Sequence, residues 1–323
     1  MNPKQIRTLI TLALVVVVAV VFTASTGTFL SASNLSQLLR DSAYVGTIAI
    51  GMCILITSGN IDLSAGGIVC FAGCICARLA NAGVNVVLVI LATIAIGLAL
   101  GWFNAFMVNN LHLTPFVATL ASGFVYSGLG LVFAFRDDHG RIVNQMIQNK
   151  AFTSLANKVG IIYISVIVWI ILTALIYFLQ RRTKIGMHIY AMGSNENAAR
   201  MSGVQLFKNK RICYMACGFF CAVAAIFTVA YNQTATPSLG TGYEFQAIAA
   251  CVVGGVAMTG GSGNSIGAAL GSIFMTMLTN GLLKFGMGSD WMNILTGGII
   301  IIATGFDAVF NKITNARLQA QNS

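Results

Sequence analysis

Of the 323 residues, 57% are hydrophobic and only 8% charged. An average soluble domain carries about 25% charged residues, so lipid has to be the solvent for most of this chain. The formal charge of +10 does not point to nucleic acid: the basic residues sit at the ends of apolar runs, and no basic stripe with interleaved aromatics occurs. Long unbroken runs such as 161–179 read as helices, whereas a membrane barrel would show short alternating segments. The expected fold is all-α: a polytopic membrane protein forming a single transmembrane domain over 1–323.

Lys4 and Arg7 precede an apolar run over 9–22. A signal peptide has that layout, with Ala24-Ser25-Thr26 as its small residues; an uncleaved first span is preferred because many apolar segments follow. Candidate helices then lie near 8–25, 43–58, 62–80, 84–106, 114–135, 159–179, 212–231, 244–258, 264–284 and 291–310, about ten spans. The loop 180–211 holds Arg181, Arg182, Lys184, Arg200, Lys208, Lys210 and Arg211 against one acid, Glu196, so it is expected in the cytoplasm. Lys4 and Arg7 at one end, and Lys312 and Arg317 at the other, put both termini on the same side. Even numbers of spans separate the three clusters, and 136–158 is expected outside.

Residues 43–80 read as a short helix, a Gly-rich break (Ser58-Gly59-Asn60) and a second helix. Residues 244–284 repeat the pattern with a break at Thr259-Gly260-Gly261-Ser262-Gly263-Asn264. Short helices interrupted by glycine at matching places in two halves point to breaks inside the membrane and to a substrate path. Asp62 and Glu244 lie beside these breaks. Either is a candidate ion-coupling carboxylate or a helix N-terminal acid that stabilises free N–H groups. Asn60, Asp62, Ser64, Tyr243, Glu244, Gln246 and Asn264 flank the breaks and offer hydrogen bonds to a polar substrate; a capping or packing role is the competing reading for each.

In the loop 180–211, Ser194 or Asn195 can cap a short helix that Gly203 ends. Ala198 and Ala199 leave a flat face for another protein, with Arg200 as a charged handle; an ordinary amphipathic loop helix explains the same pattern. The eight cysteines all lie in apolar runs. Cys213, Cys217 and Cys221 share a helix face and are read as small buried hydrophobes rather than a metal or redox stripe. No cofactor or metal is expected. Gly260-Gly261-Ser262-Gly263 lacks the Lys-Ser/Thr of a phosphate loop, and no GxxxxGK[ST] occurs, so any ATPase is on another polypeptide. The sequence has no HExxH, GxSxG or His/Asp cluster, and an enzyme is not expected.

Five motifs carry a resemblance. Gly59-Asn60-Ile61-Asp62-Leu63-Ser64-Ala65-Gly66 resembles the GIDLSVG signature of ribose-type ABC permeases, with Asn60 as the departure. Thr114-Pro115-Phe116-Val117-Ala118-Thr119-Leu120 is similar to that family's PxFIxTL segment. Tyr190-Ala191-Met192-Gly193-Ser194-Asn195, with Ala198-Ala199 and Ser202-Gly203-Val204, resembles its cytoplasmic YAIGGN…AA…SGI motif. Gly240-Thr241-Gly242-Tyr243-Glu244-Phe245, continuing through Val253-Gly254-Gly255, resembles its GxGYELxAIAAVVIGG run, and Asn280-Gly281-Leu282 its NGL. The resemblance implies a permease in the bacterial inner membrane that moves a monosaccharide by alternating access. It implies a cytoplasmic sugar-family ATPase docked on Gly193, Ser194, Asn195, Ala198, Ala199, Arg200 and Gly203, an external sugar-binding protein, and a second permease chain, identical or not. The alternative is an ion-coupled secondary transporter working through Asp62 or Glu244, which would leave the 190–204 motif without an ATPase to dock.

Overall fold

The computed structural model describes residues 3–288, 290–302 and 305, with side chains from residue 11 onward. Helix α1 spans Pro3–Thr26, α2 Ala32–Thr57, α3 Ala65–Asn81, α4 Val86–Asn109 and α5 Pro115–Phe133. A short α6 (Lys150–Thr153) and a hairpin of β1 (Lys158–Val159) with β2 (Ile162–Tyr163) lead into α7, Ile164–Arg182. Helices α8 (Lys184–Ser194) and α9 (Glu196–Met201) occupy the basic loop. Then follow α10 (Leu206–Asn232), α11 (Tyr243–Val253), α12 (Ser265–Lys284) and α13 (Asp290–Ile302). Among the described residues the fold is helical apart from the hairpin and an isolated bridge between Arg136 and Ile142. Helices α2, α4, α5, α7, α10 and α12 are long and apolar enough to cross a membrane; α3, α11, α13 and the Thr11–Thr26 part of α1 are shorter apolar helices. The chain is a multi-pass membrane protein. The tail charges Lys312 and Arg317 lie outside the described residues.

The expectation of a short helix at 43–58 is corrected: α2 begins at Ala32. Its first turns, Asn34 to Asp41, are polar, so an apolar window cuts them off. They are helical because Ser31 caps the N-terminus, accepting from the Asn34 N–H at 3.4 Å, and because Asn34 donates to the Phe29 carbonyl at 2.7 Å. From Ser42 to Thr57 every residue of α2 is buried. A helix buried on all sides has to sit at the centre of a bundle. Helix α10 packs beside it, with Cys217 and Phe220 against Gly51. Helices α4, α5 and α7 form the periphery and turn apolar faces outward: Leu88 and Leu91 of α4, Phe124 of α5, Ile171 of α7. Lipid is the medium that suits those faces.

With lipid as apolar as the side chains, close packing rather than water exclusion holds such helices together, and small residues permit it. The α4–α10 crossing is built this way. A Cβ on Gly218 would strike the Gly97 carbonyl oxygen, and one on Gly101 the Tyr214 carbonyl oxygen. All eight cysteines are buried and unpaired as disulfides. They act as small side chains with a weak donor: Cys251 gives its thiol to the Ala49 carbonyl at 3.2 Å, Cys70 to that of Pro237 at 3.3 Å. Replacing Gly218 by Val is expected to force α4 and α10 apart and destabilise the chain by about 1–3 kcal/mol. Thermal unfolding in detergent checks this; an unchanged midpoint would contradict the close crossing.

Candidate functional site

Helices α2 and α11 end in the same way. Gly59 (φ +81°) and Gly255 (φ +81°) adopt the left-handed conformation that L side chains avoid. In each case the next residue donates five positions back, Asn60 N–H to the Leu55 carbonyl at 3.1 Å and Val256 N–H to the Cys251 carbonyl at 2.9 Å. Both are Schellman stops. Each turn also closes with a side-chain acceptor at the start of the next helix. Asp62 Oδ1 takes the Ser64 N–H at 2.8 Å ahead of α3, and Asn264 Oδ1 takes the Gly267 N–H at 2.8 Å in α12. The internal echo seen in the sequence is therefore a repeated helix–turn–helix geometry, with α2 the longer of the two leading helices.

The two turns meet at the basic loop. The Gly261 N–H donates to the Thr57 carbonyl at 2.9 Å, which joins one turn to the end of the other's helix. Gly193, in the last turn of α8, lies on that bond: a Cβ there would strike the Thr57 carbonyl oxygen and come within 2.5 Å of the Gly261 nitrogen. A Cβ on Gly260 would reach the Gly193 Cα at 3.0 Å and the Gly59 Cα at 3.1 Å. Tyr190 of α8 adds a hydrogen bond from its hydroxyl to the Gly263 carbonyl at 2.6 Å. Helix α9 is tied to the same unit. Asn195 caps it through the Ala198 N–H at 3.0 Å, Gly203 ends it at φ +83°, and Met192, Ala199 and Leu206 bury against one another. Lys210 of α10 meets Glu196 at 3.0 Å.

These contacts revise which loop residues face outward. Gly193 packs on the turns and Ala199 is buried, so neither presents a docking face. Ser194, Asn195, Ala198, Arg200 and Gly203 are exposed. Met201 is 90% exposed, and Phe207 follows it at the start of α10 at 52%.

The residues flanking the turns separate into distinct settings. Asp62 and Ser64 are fully buried in a polar network. Ser64 Oγ donates to Asp62 Oδ1 at 2.6 Å, and Asn104 Nδ2 of α4 donates to Ser64 Oγ at 2.7 Å and to Asp62 Oδ2 at 3.2 Å. Asn104 Oδ1 accepts from Ser122 Oγ at 2.8 Å and from the Tyr126 hydroxyl at 2.9 Å, both on α5. Asn60 is buried and bonds back to the Ser58 carbonyl at 3.2 Å. Asn264 is occupied as a cap. Glu244, in the first turn of α11, sets its carboxylate against Gly66, where a Cβ would collide with Oε2. Tyr243 and Gln246 lie apart from these, on a pocket shared by α2 and α12. The sequence does not bring Asp41, Asn104 or Gln180 forward. Asn104 carries a readable signal, since an Asn inside an apolar run needs partners. Gln180 takes the Ser265 N–H at 3.0 Å and so helps satisfy the start of α12.

Asp62→Leu is expected to leave the Ser64 N–H and hydroxyl without their acceptor in a dry core, at a cost of roughly 2–5 kcal/mol. Asp62→Asn keeps one acceptor and should fold with a smaller loss. Recovery of monodisperse protein in detergent tests the pair; equal recovery of the Leu variant and wild type would contradict a structural role for Asp62.

The family model for the branched-chain amino acid transport system / permease component matches residues 34–304. The ribose import permease protein of Escherichia coli (strain K12) is 33% identical over 279 residues, covering 84% of each chain. The xylose transport system permease protein of Haemophilus influenzae is 31% identical, covering 84% of this chain and 88% of its own. The fructose import permease protein of Bifidobacterium longum is 31% identical over 86% of this chain and 83% of its own length. No solved structure matches this chain.

Proposed function

Because the chain belongs to the branched-chain amino acid transport system / permease component family, we propose that it is the membrane-spanning subunit of an ATP-driven monosaccharide importer and forms the sugar pathway by alternating access. The observation that carries this reading is near-full-length similarity to ribose, xylose and fructose permeases. The chain has no phosphate-binding loop of its own, so ATP is hydrolysed by a separate sugar-family ATPase. An extracytoplasmic sugar-binding protein delivers substrate, and a second permease chain completes the pathway.

Ten spans are proposed, with the six long helices joined by α1, α3, α11 and α13. The Arg and Lys residues of 180–211 support a cytoplasmic position for α8 and α9, and with them for both termini, in a bacterial inner membrane. The two Gly turns then join α2 to α3 and α11 to α12 beside α8, at the cytoplasmic end of the bundle. Exposed Ser194, Asn195, Ala198, Arg200, Met201 and Gly203 form the ATPase-docking surface. Gly193 and Ala199 contribute from beneath, by fixing α8 and α9 on the turns. Movement of the ATPases is passed through this unit to the helices that line the path. An ion-coupled carrier is the weaker reading: both Asp62 oxygens are engaged in a network with no exposed surface, and such a carrier gives the exposed Met201 no partner.

Two measurements test the proposal. Reconstituted with its ATPase and binding protein, the complex is expected to show ATP hydrolysis stimulated by sugar-loaded binding protein; sugar uptake driven by a proton gradient without ATP would support the carrier instead. Met201→Glu is expected to reduce co-purification of the ATPase about thirtyfold while the permease still reaches the membrane, since loss of one buried apolar anchor is worth ~2 kcal/mol. Undiminished co-purification would contradict the docking surface.

A further inference from the structure

The pocket that receives Tyr243 and Gln246 lies between α2, α11 and α12, and at its edge are Asp41 and Asn280. Asp41 precedes Thr57 by 16 positions on one helix, about 24 Å of rise. The pocket is therefore at the end of the bundle remote from α8 and α9, on the side from which an importer takes substrate.

Its chemistry is specific. Asp41 Oδ1 is held by Arg40 through Nε at 2.7 Å and Nη2 at 2.7 Å. Among the described residues, Oδ2 has no hydrogen-bond donor, and the Asp41 side chain is 42% exposed. The Arg40 guanidinium is fixed in turn by aromatic rings, 3.8 Å from the Tyr231 centroid and 5.5 Å from that of Tyr163. Tyr44 and Thr276 line the pocket at 7% and 8% exposure. Their hydroxyls, the Tyr243 hydroxyl and the Gln246 amide make no hydrogen bond within the chain among the described residues. Asn280 Oδ1 accepts from Asn34 at 3.0 Å, which leaves its NH₂ group free to donate. These groups open onto the pocket from three helices without partners in the chain among the described residues, and a space lined in this way suits a ligand rich in donors and acceptors.

We infer that this pocket is the entry-side recognition site for a neutral polyhydroxylated ring. Asp41 accepts from ring hydroxyls, Asn280 and Gln246 supply amide contacts, and the Tyr44 and Tyr243 rings cover the apolar face of the sugar. Charge decides against an ionic ligand. Asp41 is already neutralised by Arg40, so neither a cation nor an anion finds an uncompensated counter-charge. The cavity, about 220 Å³, has room for a single sugar ring. The inference rests on the importer reading and adds to it the location and residues of substrate recognition.

The test uses the full importer in proteoliposomes, with D-ribose, D-xylose and D-fructose as probes. Wild-type uptake that requires ATP establishes the importer reading by itself. Asp41→Asn is then expected to lower the maximal uptake rate about tenfold and Thr276→Val about threefold, as charged and neutral hydrogen bonds differ in strength. The half-saturating sugar concentration should stay fixed, because the binding protein sets it. If Asp41→Asn does not assemble, the nearly isosteric Thr276→Val decides. Wild-type maximal rates in the assembled variants would overturn the pocket assignment and leave the importer intact. Absence of ATP-dependent uptake of all three sugars by wild type would overturn both.

Discussion

Gly193 can lie against the Thr57 carbonyl and the Gly261 N–H only because it has no side chain. That approach joins three segments far apart in sequence: the end of α2, the turn before α12, and the helix that precedes α9. Each contributes backbone rather than side chains to the contact, so none can shift by a rotamer change. The hydrogen bond from Gly261 to Thr57 and that from Tyr190 to Gly263 close the joint. A force applied at α9 is consequently passed to both Gly turns together. Packed interfaces of this kind move as rigid bodies between discrete arrangements rather than deforming smoothly.

The interior meets the demand of a lipid environment in two ways. Where nothing polar is needed, helices approach through glycine, alanine and cysteine, as α4 and α10 do at Gly97, Gly101 and Gly218. Elsewhere buried polar groups are gathered into clusters. Asp62, Ser64, Asn104, Ser122 and Tyr126 form one connected network across α3, α4 and α5. Arg40 and Asp41 form a pair under two tyrosine rings. The two clusters differ in access. The first is closed and dry, which suits a fixed frame. The second has unengaged acceptors and donors facing a cavity, which suits a molecule that passes through.

Much of the helical architecture was legible because long apolar runs have no other stable form in a bilayer. The windows at 84–106, 114–135 and 264–284 sit close to α4, α5 and α12. The repeat was read from the glycines at 58–60 and 259–264; the left-handed stop of α11 at Gly255, four residues before that second run, was not singled out. The start of α2 was not legible: hydropathy marks contact with lipid, and Ala32–Asp41 is largely polar, with Ala32, Ser33, Leu35 and Gln37 exposed and Asn34 and Arg40 buried. That is also why Asp41 escaped notice while Asp62, deeper in the chain's own packing, drew attention. In the loop, the residue types at 193–203 were informative, but their direction was not. Whether Gly193 and Ala199 point toward a partner or inward depends on how α8 and α9 sit on the turns, and no local pattern encodes that.

The most direct measurement is the number of sugar molecules imported per ATP hydrolysed when Gly193 is replaced by Ala in the reconstituted complex, with Gly128→Ala, where a Cβ meets open space, as the control. If the Gly193 joint carries motion from the docking helix to the pathway, Gly193→Ala should continue to hydrolyse ATP while sugar moved per ATP falls about tenfold, equivalent to ~1.4 kcal/mol of lost coupling, and the control should match wild type. A Gly193→Ala complex with the wild-type ratio would contradict the account.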